Sequence, residues 1–212
     1  MRLALQKRKI LNAGAIGISY VKLIPDWFRL MKGDLVLDCG ANVGLITRYL
    51  STTGANVIAF EPDPRAFALL QKRCAHLPNV TLYNEGVWDK QDSLPLFDHA
   101  EGLESDTAFT VGSSLISQKK NVDTNRSRQV PLIDLVAYLR SLPKRVSLIK
   151  LDVEGAEIAI LKKILAEKAW DLFDRMYVET HETKIPEQIP ELEQIKKQLA
   201  EHQITHIKLN WV

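Results

Sequence analysis

"LVLDCGANVGLITRYL", residues 35–50, decides the fold of this 212-residue chain. It starts as a short apolar run, the pattern of a strand buried on both faces. A turn of small residues, Gly40-Ala41-Asn42-Val43-Gly44, follows. Val43, Ile46 and Leu50 then fall at i, i+3 and i+7, the spacing of one helix face. Strand, tight turn and helix in that order begin a βα unit, and such turns are where these units bind ligands.

Working outward, Gly54 closes that helix and "NVIAF" (56–60) reads as a second buried strand. "EPDP" breaks the chain and sets Pro64 at a helix start, with Phe67, Leu70 and Cys74 on the buried face. "NVTLY" (79–83) is a third strand, and this β-α-β-α-β alternation predicts a parallel sheet flanked by helices. Residues 86–130 differ. "GVWDKQDSLPLFD" and "TAFTVGSSLI" alternate as β-hairpins do, and "KKNVDTNRSRQ" is polar. "PLIDLVAYL" (131–139) reads as a helix with Pro131 at its start, "VSLIKLDV" (146–153) as a fourth strand and "GAEIAILKKILAEKA" as a long helix. "RMYVETHE" (175–182) is a fifth strand, Ile189, Leu192, Ile195 and Leu199 mark a last helix, and "ITHIKLNWV" is a terminal strand. The expected fold class is α/β, a doubly wound, mostly parallel sheet. One domain spans 33–212, with a hairpin-rich insertion at about 86–130 and a helical lead-in over 1–32.

Composition narrows the function. Lys and Arg (28) nearly balance Asp and Glu (26) and alternate with them, so no basic stripe is present and no nucleic-acid partner is expected. No run reaches the ~18 apolar residues of a membrane span. "MRLALQKRK" followed by "ILNAGAIGISYV" has the order of a secretory leader, but Asn12, two glycines, Ser19 and Tyr20 dilute its apolar part and no small-x-small cleavage site follows. A cytoplasmic protein is the expectation. Cys39 and Cys74 have neither metal nor redox spacing and read as small buried residues.

Ligands of open parallel sheets bind beyond the carboxyl ends of the strands. Those ends carry Asp38 with the glycine turn, Glu61, Asn84-Glu85-Gly86, "DVEG" (152–155) and "ETHE" (179–182). A dinucleotide fold needs G-x-G-x-x-G, whose second glycine admits a pyrophosphate. Here Asn42 occupies that place, and Asp38 just before the turn repels phosphate. Asp38 suits a cationic group instead, such as an ammonium or a sulfonium, and S-adenosylmethionine carries both. Glu61, 23 residues after Asp38 at the end of the next strand, is placed to hold ribose hydroxyls. Asn84 and Glu85 fall where an adenine edge would lie. The cofactor set is thus Asp38, Gly40, Ala41, Asn42, Gly44, Glu61, Asn84, Glu85 and Asp152.

"DCGANVGLITRYL", "AFEPDP", "IKLDVEGAEIAIL" and "YVETHE", in that order and spacing, resemble the FkbM family of S-adenosylmethionine-dependent methyltransferases over about residues 33–182. The distinctive part is "LDVEGAE", about 110 residues after the glycine turn. The resemblance implies a Rossmann-like class I methyltransferase fold and O-methylation of a saccharide, glycan or polyhydroxylated metabolite. It also implies two strands after the fifth, where only "ITHIKLNWV" is found, so the sheet is expected to be one strand short at its C-terminal side.

Methyl transfer to a hydroxyl needs alignment and a base near the acceptor oxygen. Asp152 is the first choice as base or orienting carboxylate, with His181 as the competing base because of its near-neutral titration, and Glu154 as a third catalytic candidate. Glu157, in the first turn of a helix, reads as structural. Ser113, Ser114, Glu179 and His181 are candidate acceptor contacts. Asp152, Glu154, Glu179 and His181 also form a set able to collect Mg²⁺, although a divalent metal is not the favoured reading and no metal ligand is assigned. The alternatives are a non-enzymatic S-adenosylmethionine-binding module, a methyltransferase with a nitrogen or carboxylate acceptor, and an NAD-type oxidoreductase, which Asn42 disfavours.

Overall fold

The computed structural model describes residues 25–26, 29–100, 114–116, 120 and 122–211. Ser113 and nearly all of the expected lead-in lie outside them. Six strands form one sheet: β1 (Leu35–Cys39), β2 (Asn56–Phe60), β3 (Val80–Tyr83), β7 (Leu148–Leu151), β8 (Met176–Val178) and β9 (Ile207–Lys208). Their spatial order is β3-β2-β1-β7-β8-β9, and every neighbouring pair is parallel. Helices α1 (Leu45–Ser51), α2 (Pro64–Cys74), α4 (Glu157–Ala166) and α5 (Ile189–Glu201) make the crossovers, and α3 (Leu135–Ser141) leads into β7. The doubly wound parallel sheet therefore has the expected class. Among the described residues one short strand follows β8, as the single terminal run in the sequence implies.

Period-two alternation in β1 builds both layers at once. Leu35, Leu37 and Cys39 pack in one cluster with Leu135, Ile160, Leu161 and Ile164, whereas Val36 packs in another with Leu50 of α1. Cys39 and Cys74 are buried free thiols. Asp63 caps α2 by accepting from the Arg65 N–H, ahead of Pro64 in the first turn.

Two expected boundaries shift. The helix assigned to 131–139 begins only at Leu135, with Asp134 as its cap accepting from the Ala137 N–H. Pro131 instead lies in β6 (Val122–Asp134). There the strand period wins, since Val130 and Leu132 are buried on either side of an exposed Pro131. Pro131 pairs with Ser93 on one side, and the strand β4 (Gly86–Trp88) joins β6 only from Leu132 onward. The strand expected over 175–182 ends at Val178, because the last sheet bond is Glu179 N–H to the Leu151 carbonyl and the chain then turns on the His181 carbonyl.

The insertion is a second sheet, β4 (Gly86–Trp88), β6 and β5 (Asp92–His99), ordered β4-β6-β5. Only β5–β6 is antiparallel, and β4 runs parallel to β6. Four charges tie this sheet to the start of α2. Arg65 reaches Asp63 and Asp98 at 2.7 Å each, and Arg128 reaches Asp98 at 2.9 Å and Asp63 at 3.5 Å.

The chain order reverses between β1 and β7, which opens a crevice at their carboxyl ends. The loops there touch. Gly40 has φ +78°, and a β-carbon on it would overlap the Asp152 carbonyl oxygen. Gly40→Ala is therefore expected to destabilise the protein by roughly 2–4 kcal/mol, from overpacking plus left-handed strain. Gly33, at φ +96° with nothing within 4 Å of its would-be β-carbon, supplies the control. Gly33→Ala should cost about 1–2 kcal/mol, the backbone part alone. Urea-denaturation midpoints compare the two, and equal losses would mean that the Gly40–Asp152 contact is not a constraint.

Candidate active site

The sheet register places Asp38 of β1 directly beside Lys150 of β7, on one face. Lys150 is a charge inside an otherwise apolar, fully buried strand. A buried ammonium is tolerated only when it is paired and hydrogen-bonded. Its Nζ donates to the Gly40 carbonyl at 2.6 Å, and lies 3.1 Å from Asp152 Oδ2 and 3.5 Å from Asp38 Oδ1. Burial works to lower the Lys150 pKa, but Asp152 and Asp38 outweigh it and hold the ammonium above its ordinary range. Asp38 is wholly buried, and its other oxygen accepts from Thr47 Oγ1 at 2.6 Å. The direct contact expected between Asp38 and a bound cation is thus replaced by an internal pair, and Asp38 fixes the turn.

The turn is sewn to the end of β2. The Gly40 and Ala41 N–H groups both donate to the Phe60 carbonyl. Asn42 has φ +49°, a left-handed conformation that asparagine tolerates, with its side-chain oxygen accepting from the Val43 N–H at 2.7 Å. The Asn42 N–H donates to Glu61 Oε2, and the Asp63 N–H donates to Glu61 Oε1, both at 2.8 Å. Gly44, also left-handed at φ +81°, packs against Leu70 and Cys74 of α2. Burial pushes the Glu61 carboxyl up to about 8, against the pull of those two N–H bonds. Asn84 donates to the Glu61 and Pro62 carbonyls at 2.8 and 3.2 Å, so its amide shapes the loop after β2. Glu85 is half-buried beside it.

Beyond β7 and β8 the structure brings Asp152, Glu154, Glu179 and His181 together. His181 is 3% exposed. Its Nδ1 lies 3.1 Å from Glu157 Oε1, and its Nε2 lies 3.0 Å from Glu154, 3.7 Å from Glu179 and 3.9 Å from Asp152. Burial lowers the His181 pKa, but Glu157 and Glu154 prevail and raise it to about 11. Those two carboxylates favour the protonated ring over the free base that the sequence reading assigned to it. Burial and Asp152 together raise the Glu179 pKa.

Two residues were missed or underrated in the sequence. Lys150 had a visible signal, a lone charge in an apolar strand two residues before Asp152. Glu157 looked like a dipole partner, yet it is fully buried, accepts from the Val153 and Gly155 N–H groups at 2.8 Å each, and orients His181. Glu154, at φ +59°, sits on the turn that Glu157 ties. Ser114 donates to the Glu154 carbonyl at 2.5 Å and accepts from the Ile116 N–H, so it braces this turn.

The methyltransferase FkbM domain, as a family model, matches residues 38–203. Methyltransferase 1 of Beauveria bassiana (strain ARSEF 2860) is 30% identical over 165 residues, which cover 70% of this chain and 65% of that protein. Methyltransferase sdnD of Sordaria araneosa is 27% identical over 191 residues, covering 74% and 70%. Ribosomal RNA small subunit methyltransferase A of Thermotoga neapolitana (strain ATCC 49049 / DSM 4359 / NBRC 107923 / NS-E) is 40% identical over 63 residues, covering 30% and 24%. The chain thus spans less than two thirds of the Beauveria protein.

Lys150→Met strands two carboxylates and is expected to cost about 3–5 kcal/mol of stability. Adding Asp38→Asn should recover part of that loss. A double-mutant cycle in urea checks the pair, and simple additivity would show that Asp38 and Lys150 are not coupled.

Proposed function

The chain belongs to the FkbM methyltransferase family, and on that premise we propose that it moves a methyl group from S-adenosylmethionine to a hydroxyl of a saccharide or polyhydroxylated small molecule. The observation that carries the cofactor part is the Glu61 clasp. Each Glu61 oxygen accepts a single backbone N–H, which leaves one lone pair per oxygen for a pair of ribose hydroxyls. The turn Gly40–Gly44 adjoins that carboxylate, and Asn84 and Glu85 flank it on the adenine side. Asp38 is locked away from any phosphate or nucleoside. When bound, S-adenosylmethionine supplies an electrophilic methyl carbon on a sulfonium.

The acceptor side rests on the chain's own charges. Asp152 gives one oxygen to Lys150 and keeps the other, Oδ1, on the side of His181. That oxygen is the base for an acceptor hydroxyl, and Lys150 keeps the carboxylate from swinging away. His181, held by Glu157, positions Glu154 and Asp152. An acidic pocket favours neutral ligands rich in O–H donors and repels phosphodiesters. An amine acceptor is the second reading, since carboxylates attract ammonium ions. The same carboxylates would keep the amine protonated and non-nucleophilic, which favours the hydroxyl.

Calorimetry with S-adenosylhomocysteine and NAD should give heat for the first and none for the second, and the reverse would remove the cofactor assignment. Hydroxyls donate best to an ionised Glu61, whose carboxyl in the free protein titrates at about 8. S-adenosylhomocysteine affinity should therefore rise with pH through that value, with proton release, and Glu61→Gln should bind more weakly with a flatter profile. Identical profiles would exclude Glu61 from ribose binding. Asp152→Asn should lower turnover on a panel of glycans and polyols by roughly 10²–10⁴-fold. Full turnover would take the base role from Asp152.

A further inference from the structure

We propose that His181 Nε2, with Asp152, Glu154 and Glu179, forms a binding site for one divalent metal ion of the Mn²⁺ class. The three acids alone would be an ordinary acidic patch. The imidazole makes the difference: it is buried, and its Nε2 has no hydrogen-bond partner although three carboxylate oxygens lie 3.0–3.9 Å away. Glu154, the one of the three within hydrogen-bond distance, is therefore off the axis along which the ring nitrogen would donate.

That off-axis arrangement is what an octahedral ion requires. With metal–ligand distances of about 2.1 Å, two ligand atoms in cis positions lie about 3.0 Å apart and trans ones about 4.2 Å. A cis oxygen sits about 45° from the nitrogen–metal line, too far off-line for a hydrogen bond to that nitrogen. Glu154 at 3.0 Å, Glu179 at 3.7 Å and Asp152 at 3.9 Å fall within these limits.

The other ring nitrogen supports the same assignment. Ligating histidines commonly direct their second nitrogen at a carboxylate, which fixes the tautomer. Nδ1 faces buried Glu157 at 3.1 Å. Both Glu157 oxygens also accept backbone N–H bonds, so Glu157 orients the ring and the ligands are the other three acids. Asp152 divides its oxygens, Oδ2 to Lys150 and Oδ1 toward the ion, and Oδ1 keeps its second lone pair for the acceptor proton. Three carboxylates and one imidazole suit Mn²⁺ better than Ca²⁺, which prefers all-oxygen sets. On the methyl-transfer reading above, ligand positions left open on the ion would take two neighbouring oxygens of the acceptor, such as a vicinal diol.

Titration of the full chain with MnCl₂, followed by the loss of the free-ion electron paramagnetic resonance signal, tests the site without any turnover. One ion per chain is expected, with nitrogen coupling from one imidazole in the echo-modulation spectrum. Glu154→Gln/Glu179→Gln and His181→Ala should each weaken binding by at least about 10-fold, and His181→Ala should abolish the coupling. Should His181→Ala fail to fold, the glutamate pair and the wild-type coupling decide. Absence of binding at millimolar Mn²⁺, binding without nitrogen coupling, or affinity unchanged in the glutamate variant would each overturn the site. None of these outcomes depends on S-adenosylhomocysteine binding, so failure here leaves the methyltransferase reading to its own test.

Discussion

One buried ammonium organises the crevice. Lys150 Nζ lies among the Gly40 carbonyl, Asp38 and Asp152, and so ties the turn after β1 to the loop after β7. The sheet places those two loops side by side, but only a charge that must be neutralised fixes their separation. Gly40 completes the constraint, because its missing side chain lets the Asp152 carbonyl close in. Everything proposed for the cofactor and the acceptor depends on that spacing.

The crevice divides into halves of different character. On the β2 side, Glu61 accepts backbone N–H groups and faces the glycine turn, an arrangement for reading hydroxyls on a neutral ring. On the β8 side, four carboxylates gather around one histidine, and Asp152 spans the boundary with an oxygen on each side. Of the four left-handed non-glycine residues among the described residues, Asn42 and Glu154 lie in these two loops, while Lys168 and Gln203 follow helices elsewhere. Residues held in such conformations are over-determined by their neighbours, which fits a pre-organised site.

Much of this was legible in the residue pattern. The strands of the large sheet, the helix from Pro64 and the acids at strand ends follow from periodicity and punctuation, because the buried strands are short and uninterrupted. Pro131 misled, since a proline before apolar residues resembles a helix start and nothing local reports that Val130 and Leu132 alternate across a sheet. Asp38 misled for a longer-range reason. Its cation, Lys150, stands 112 residues away and becomes a neighbour only through strand register. The same holds for His181, whose titration is set by Glu157 and Glu154 across a turn.

A crystal structure of the intact protein with S-adenosylhomocysteine tests the Glu61 clasp most directly. A nucleoside is expected over the Gly40–Gly44 turn, with both ribose hydroxyls donating to Glu61. The Lys150 contacts with Gly40 and Asp152 should remain in place. A nucleoside bound elsewhere, or ribose hydroxyls out of hydrogen-bond reach of Glu61, would contradict it.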